Sequence, residues 1–327
     1  MIETKEETIK NIASHYRIKP ETLLRHYKYH SSNFKDWEQK EHAEDYMLFP
    51  ENVGEYLSID EVSLSQGELY TFVTNKKGKG KQGTLVASIK GTLARDIVAV
   101  LSRLPLELRR TVKEVTLDMA NNMESAAWKS FPNAMLVTDR FHVVRLNTEA
   151  LQHIRVKHRW AELDKENEAI ADAKKHGKKY KSAELENGDT PKQLLARCRY
   201  IITKKPNEWT ISQQQRASIL FERYPEIEAA YYHVLEFRNI YEYKDKTLAE
   251  EKFMQWIDKT DRLKIKEFNT VANTVYYNMS NILNFFINRN TNANAESFNS
   301  KIKLFRANLR GVVDTKFFLF RIQKLFA

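Results

Sequence analysis

Seven segments in a fixed order constrain this chain most. Three short runs rich in β-branched and aromatic residues come first, EYLSIDEVSL, LYTFVT and TLVASIK, with turn residues between them. A segment with helical spacing follows, TLARDIVAVLSRLPLELRRTV, and then the strand-like VKEVTLD, the helical NMESAAWKSF and the strand-like NAMLVTD. The pattern predicts the element order βββαβαβ.

This order is the layout of the ribonuclease-H-like fold, a mixed sheet flanked by helices. The chain after it is charged, aromatic and helical, with no strand pattern, so we predict a large all-α insertion. The predicted division is 1–50, a small helical region resembling a helix-turn-helix; 51–142, the first part of the core; 143–284, the insertion; and 285–327, C-terminal helices that complete the core.

Composition narrows the partners and the metal chemistry. The net charge of +10 favours a polyanionic partner such as nucleic acid. A single cysteine, Cys198, excludes an internal disulfide and a cysteine zinc cluster. Neither a long apolar run nor a signal peptide is evident, so we expect a cytoplasmic, nucleoid-associated protein without a membrane segment.

Acidic residues stand where the predicted strands meet. In this layout the first strand is central and the strand after the first helix runs parallel beside it. Asp60 lies on the first strand and Asp118 ends the second, so their carboxylates can converge at one sheet edge. Asp139 ends the next strand and is an alternative to Asp118. Aspartate is depleted in strand interiors, which makes Asp60 the hardest to explain structurally.

A third acid comes from the segment ANAESFNSKIKLF. Helical spacing places Glu296, Asn299 and Lys303 on one face, opposite three apolar residues, so an intermediate rotation is needed for Glu296 to reach the aspartates. Asn292 or Asn294 could cap this helix. The ordinary alternatives are that Asp118 caps a helix and that Glu296 is a common first-turn glutamate.

Clustered carboxylates repel one another and lose hydration, so they need a divalent cation. Oxygen ligands indicate Mg²⁺ or Mn²⁺, and two such ions suit an in-line phosphoryl displacement. The glycine-lysine loop near this site is either a solvated turn or a phosphate contact. The residues predicted to contact DNA are Lys76, Lys77, Lys79, Lys81, Arg140, Asn299, Lys303 and Arg306.

Three segments carry a family resemblance: SIDEVS, VTLDMANNMESAAWKSFPNAMLVTDRFHVVRL and NANAESFNSKIKLFRANLRG. They resemble bacterial insertion-sequence transposases of the ISL-three group, which carry a DDE catalytic triad. The resemblance implies a magnesium-dependent enzyme that cuts and joins DNA at the ends of a mobile element. The first acid falls on Asp60, the second on Asp118 or Asp139, and the glutamate on Glu296; the topology favours Asp118.

The resemblance has one departure. Longer members carry an N-terminal cysteine-rich zinc finger, which a chain with one cysteine lacks. Recognition of the element ends is therefore expected from residues 1–50, from the insertion or from a separately encoded partner, with a homo-oligomer assembled on DNA. Two alternatives to a transposase are a ribonuclease-H-like nuclease or resolvase that cuts without joining, and a non-catalytic DNA-binding derivative.

Overall fold

A computed structural model describes residues 1–65, 68–291, 293–309, 312 and 314–327. These form two compact units. The first comprises Met1–Asp139 and Asn288–Ala327, and the second comprises Arg140–Ile287. The four-part division predicted from the sequence stays a prediction.

The first unit is built on a six-stranded mixed sheet with the strand order β1-β4-β3-β2-β5-β6. The strands are β1 (Tyr46–Leu48), β2 (Tyr56–Ser65), β3 (Glu68–Asn75), β4 (Leu85–Lys90), β5 (Glu114–Leu117) and β6 (Met135–Thr138). Strands joined by short connections pair antiparallel, whereas β2, β5 and β6, which are joined through helices, pair parallel.

The α-helices of the two units follow in chain order. They are α1 (Ile9–His15), α2 (Pro20–His26), α3 (Ala94–Leu101), α4 (Leu106–Arg110), α5 (Asn121–Ser130), α6 (Arg140–Lys175), α7 (Pro191–Arg197), α8 (Ile211–Arg223), α9 (Pro225–Ile240), α10 (Lys246–Leu263), α11 (Lys266–Tyr277), α12 (Met279–Leu283), α13 (Phe285–Asn288), α14 (Ala293–Asn308) and α15 (Thr315–Phe326). Single helical turns of other types are Tyr27–Ser31, Pro50–Asn52, Lys76–Gly78, Ile201–Thr203 and Pro206–Glu208.

The two faces of the sheet bury different helices, because successive strand residues point to opposite sides. Leu57 and Ile59 of β2 belong to the apolar cluster that α3 and α5 cover. Val62 belongs to the opposite cluster, which α14 and α15 cover. Asp60 shares the parity of Val62 and therefore lies on the α14 side. The sheet flanked by helices confirms the predicted ribonuclease-H-like fold class.

Strand β1 is an element that the sequence pattern does not predict, since it lies inside the region interpreted as helical. Its three residues are too few to show a strand period. The strand forms because Tyr46–Leu48 pairs antiparallel with β4 and because Met47 is fully buried. Tertiary pairing therefore overrides local propensity here.

The N-terminal region packs on the last helix of the chain. Phe34 lies edge-on to Phe317 and Phe320 of α15, with ring centroids 5.3 and 5.2 Å apart. The buried guanidinium of Arg321 donates to the backbone carbonyls of Ile2, Lys5 and Glu7 at 2.8–3.0 Å. A reading of DNA by α1 and α2 stays a prediction, as does a cap on α14 by Asn292, which lies outside the described residues. Asn294 is instead the second residue of α14.

The second unit contains helices and helical turns, as predicted for the insertion. Trp256 is buried and stacks on His233 with ring centroids 4.3 Å apart, and Trp209 stacks on Tyr231 at 5.5 Å. Burial, followed by the charge of Lys259, lowers the pKa of His233 to about 4, so its imidazole is neutral at pH 7. Among the residues that the structure describes, no helix is long and apolar enough to cross a membrane.

Shortening Phe298 tests the packing of α14 on the sheet. Its ring is fully buried, 5.5 Å from the ring of Phe72 on β3 and 5.0 Å from that of Phe326. We expect Phe298→Ala to lower the free energy of unfolding by about 3–5 kcal/mol, because a buried aromatic leaves a cavity. Urea titration followed by circular dichroism measures this loss.

The matched control for Phe298→Ala is Leu304→Ala, on the exposed side of the same helix. We expect it to change the free energy of unfolding by less than about 0.5 kcal/mol. Equal losses for the two variants would contradict the packing of α14 on the sheet through the side that carries Phe298.

Candidate active site

Three aspartates stand level with one another on adjacent parallel strands. The register pairs Ser58 of β2 with Thr116 of β5, and two residues further along each chain are Asp60 and Asp118. It also pairs Leu117 of β5 with Thr138 of β6, and the next residues are Asp118 and Asp139. All three aspartates therefore occur at one height across the centre of the sheet, at positions of the same parity.

Helix α14 places a glutamate close to the last of these three aspartates. The carboxylates of Asp139 and Glu296 each offer an oxygen, and these two oxygens lie within 4.8 Å of each other. Asp139 is 1% exposed, whereas Glu296 is half-buried. The helix is held by its apolar side, because Ala295, Phe298 and Ile302 are all buried. Glu296 thus reaches the sheet from the flank of an amphipathic helix.

Asn299, one turn further along α14, contacts the first aspartate. Its Nδ2 donates to Asp60 Oδ2 at 2.5 Å, and Asp60 Oδ1 accepts the backbone N–H of Glu61 at 2.8 Å. Asn299 is only 5% exposed. The structure therefore gives Asn299, which the sequence suggests as a DNA contact, a partner inside the protein. Its Oδ1 is buried and has no hydrogen-bond partner among the described residues.

Glu61 is an acidic residue at this site that sequence reasoning missed. Burial raises the pKa of its carboxyl, and the charges of Asp118 and then Asp60 raise it further. Both aspartates therefore lie close enough to Glu61 to repel its ionised form. The signal was present in SIDEVS, where two acidic residues stand side by side in a strand.

The donor set fits a divalent cation. Asp60 and Asp118 both raise the pKa of Glu61, whose side chain alternates to the other face of β2, and Asp139 and Glu296 add carboxylate oxygens from the neighbouring strand and helix. The buried Oδ1 of Asn299 is a further oxygen on the same helix as Glu296. Carboxylate and amide oxygens are the ligands that Mg²⁺ and Mn²⁺ prefer. A divalent cation would relieve both the repulsion and the unsatisfied carbonyl.

The loop after β3 divides its lysines between the interior and the surface. The ammonium of Lys76 lies 2.9 Å from Glu114 Oε1 and is largely buried, so it is directed into the protein. Lys77, Lys79 and Lys81 are exposed. The loop is joined to α14 by Lys301, whose Nζ donates to the carbonyl of Gly80 at 2.6 Å.

The remaining basic residues predicted to contact DNA occupy different surroundings. Lys303 is exposed on α14, and Arg306 donates to the carbonyl of Ser63 at 2.6 Å. Arg140 belongs to the second unit, where its guanidinium lies 3.6 Å from Glu242 Oε1. Of the residues predicted to contact DNA, Lys303 and the three loop lysines are therefore the ones that are exposed on the first unit.

A mixed sheet of this order, with one aspartate inside β2 and one directly after each of β5 and β6, defines a ribonuclease-H-like protein. A model of the DDE transposase family of the ISL-three group, described as transposase, matches residues 57–322. The chain therefore belongs to this transposase family.

A curated relative extends the comparison. The chain is 21% identical over 273 residues to a protein of Bordetella parapertussis named transposase for insertion sequence element IS1001. The aligned region covers 83% of this chain and 61% of the relative. The chain thus spans less than two thirds of the length of this relative.

Neutralising Glu61 tests the crowding of carboxylates. The raised pKa means that the folded state holds the Glu61 proton to a higher pH than the unfolded state does, so this group makes stability fall as pH rises through that interval. In EDTA, we expect Glu61→Gln to raise the unfolding midpoint by about 1–3 °C at pH 7.5. The gain should shrink towards pH 4, where the carboxyl is largely protonated in both states.

Differential scanning fluorimetry across pH 4–8 measures these midpoints, and Glu51→Gln, an exposed glutamate of the same unit, is the control. A gain for Glu61→Gln that is equal at pH 4 and pH 7.5 would refute the electrostatic explanation. The same measurement with added Mg²⁺ should raise the wild-type midpoint, because the cation binds the folded state.

Proposed function

We propose that this chain is a DNA transposase that catalyses divalent-metal-dependent phosphodiester cleavage and strand transfer at the ends of a bacterial insertion sequence. The observation that carries the proposal is the alignment of Asp60 and Asp118 on adjacent parallel strands, beside the helix of Glu296. Membership of the transposase family supports it. The Bordetella relative, which is named as the transposase of an insertion sequence element, supports the same substrate, the DNA of an insertion sequence.

Three acids are proposed as the catalytic triad. Asp60, Asp118 and Glu296 would hold two Mg²⁺ or Mn²⁺ ions, and Asn299 would orient Asp60 through its 2.5 Å hydrogen bond. When bound, two such ions supply the charge that activates a water or a 3′-hydroxyl and stabilises the leaving oxygen of an in-line displacement. The protein contributes a rigid sheet edge that fixes the carboxylates before DNA arrives.

The second acid is proposed to be Asp118 rather than Asp139. Asp118 follows the strand adjacent to β2, and its charge together with that of Asp60 raises the pKa of Glu61. Asp139 is one strand further out, is almost fully buried and lies near Glu296. We therefore propose that Asp139 supports Glu296 and the same metal centre and is not the second acid of the triad.

DNA is proposed to bind beside this edge through Lys77, Lys79, Lys81 and Lys303, which are exposed. The aligned region covers 61% of the Bordetella relative, so part of that protein lies outside the alignment. We propose that residues 1–50, the helical insertion or a separately encoded partner recognises the element ends, and that the active species is a homo-oligomer on DNA.

Removing single carboxylates tests the catalytic assignment. We expect Asp60→Asn, Asp118→Asn and Glu296→Gln each to lower the rate of strand cleavage at labelled element ends by at least about 100-fold, because each removes an oxygen ligand from the metal centre. DNA affinity should change by less than about threefold, since binding depends on basic side chains. Gel assays with Mg²⁺ measure cleavage and joining.

Asp139→Asn is the comparison for the second acid, and we expect a smaller loss than for Asp118→Asn. The reverse order would assign the second acid to Asp139. Cleavage without any joined product by the wild-type protein would replace the transposase with a nuclease or resolvase. Cleavage that persists in all three triad variants would show that the active site does not lie at Asp60, Asp118 and Glu296.

Replacing the exposed loop lysines tests the DNA surface. Each lysine bound to a phosphate displaces counterions from DNA, so removing one such lysine should reduce the slope of log K against log[salt] by about 1. We expect Lys77→Ala, Lys79→Ala and Lys81→Ala to weaken DNA binding in this way, as measured by fluorescence anisotropy at several salt concentrations. Lys129→Ala, an exposed lysine on α5, is the control; a solvated loop that does not touch DNA would give an unchanged slope.

A further inference from the structure

Glu114, at the start of β5, is a buried carboxylate outside the proposed triad. It is 1% exposed, and four side-chain groups donate to it. Oε1 accepts from Lys76 Nζ at 2.9 Å and from Thr116 Oγ1 at 3.3 Å. Oε2 accepts from Asn288 Nδ2 at 3.1 Å and from Asn290 Nδ2 at 2.8 Å.

These donors keep Glu114 ionised. Burial alone would raise the pKa of its carboxyl, but the charge and hydrogen bond of Lys76 and the amides of Asn290 and Asn288 outweigh burial and lower it. A buried ion pair of this kind contributes little net stability compared with apolar residues of similar volume. What the network determines is geometry, because each donor must reach one small acceptor.

The residues that donate to Glu114 from outside the sheet, Asn288 and Asn290, precede the helix that carries Glu296. Asn288 ends α13, and residues 289–291, which precede α14, belong to no helix or strand. Arg289 has a left-handed backbone with φ of 54°, which costs a non-glycine residue free energy and requires support from its surroundings. The two hydrogen bonds that asparagine side chains donate to Glu114 come from the residues directly before and after Arg289.

A second contact joins this segment to the lysine loop. Asn294, in the first turn of α14, donates through Nδ2 to the carbonyl of Lys76 at 3.2 Å. Lys76 therefore binds Glu114 with its ammonium and Asn294 with its carbonyl. Glu114 begins the strand that Asp118 directly follows, and the two residues have the same parity, so one network relates the start of α14 to the strand before the second acid.

We propose that Glu114 is a positioning residue: together with Lys76 it fixes Asn288, Asn290 and Asn294, and it thereby sets the position of Glu296 relative to Asp60 and Asp118. The inference rests on the proposed metal-dependent function of these three acids. A glutamine in its place would offer one neutral acceptor oxygen, and an amide donor in place of the other, to the same four donors, so the contacts that hold the start of α14 on β5 would weaken.

The variant that tests this is Glu114→Gln, which keeps the shape and removes the charge. Isothermal titration of the DNA-free protein with Mn²⁺ gives the metal dissociation constant per folded molecule. Cleavage at saturating DNA gives the rate constant, and anisotropy in EDTA gives the DNA dissociation constant. We expect Mn²⁺ binding to weaken at least tenfold and cleavage to slow at least tenfold, with DNA affinity within about twofold of wild type.

Two further sets of variants separate positioning from stability. Glu107→Gln makes the same change at an exposed glutamate of the same unit and should leave all three constants unchanged. Asn288→Ala and Asn290→Ala each remove one donor and leave Glu114 paired with Lys76, so they serve if Glu114→Gln does not fold. Each should weaken Mn²⁺ binding severalfold, and adding Asn290→Ala to Glu114→Gln should weaken it by less than a further twofold.

A purely structural role predicts a lower unfolding midpoint with a wild-type Mn²⁺ dissociation constant, and that result in Glu114→Gln, or in both asparagine variants, would overturn the proposal. If wild-type protein binds Mn²⁺ but does not cleave element ends, the proposed function fails, while the comparison of Mn²⁺ constants still decides the role of Glu114.

Discussion

The parallel register of β2, β5 and β6 is the constraint on which the rest of the site depends. Parallel pairing advances neighbouring strands in step, so residues that follow paired positions stay level. Asp60, Asp118 and Asp139 are level for this reason alone. A slip of one residue would turn a carboxylate to the opposite face, into the apolar cluster under α3 and α5. The buried faces of the sheet therefore protect the alignment of the acids.

Helix α14 has two tasks that compete for its surface. Its apolar residues must cover the sheet, and Glu296 and Asn299 must reach the aspartates. Both are met because the helix lies with Asn299 inside the buried stripe and Glu296 at its edge. The burial of Phe298 and Ile302 supplies the favourable free energy, and it offsets the desolvation of a carboxylate and an amide.

Much of the fold could be predicted because its strands are short apolar runs separated by turn residues, and the element order then determines the layout. Strand β1 could not, because three residues carry no period. The acids of strand and helix ends were visible as residue types at topological positions. The partner of Asn299 and the ion pair of Lys76 with Glu114 were not, because Lys76 reads as part of an exposed lysine loop until tertiary contacts assign its side chain.

The insertion separates Asp139 from Glu296 in the sequence, although the fold brings their carboxylates close together. The chain leaves the first unit after Asp139 and returns at Asn288, yet a carboxylate oxygen of Asp139 and one of Glu296 lie within 4.8 Å of each other. The entropy of closing a long connection grows only slowly with its length, so the insertion can be large at little cost in stability. Positional accuracy is a different requirement, because a long return path does not by itself direct Glu296 to the aspartates. Contacts at the point of return must do so, and Asn288 and Asn290 make theirs on Glu114, on the strand that carries the chain to Asp118.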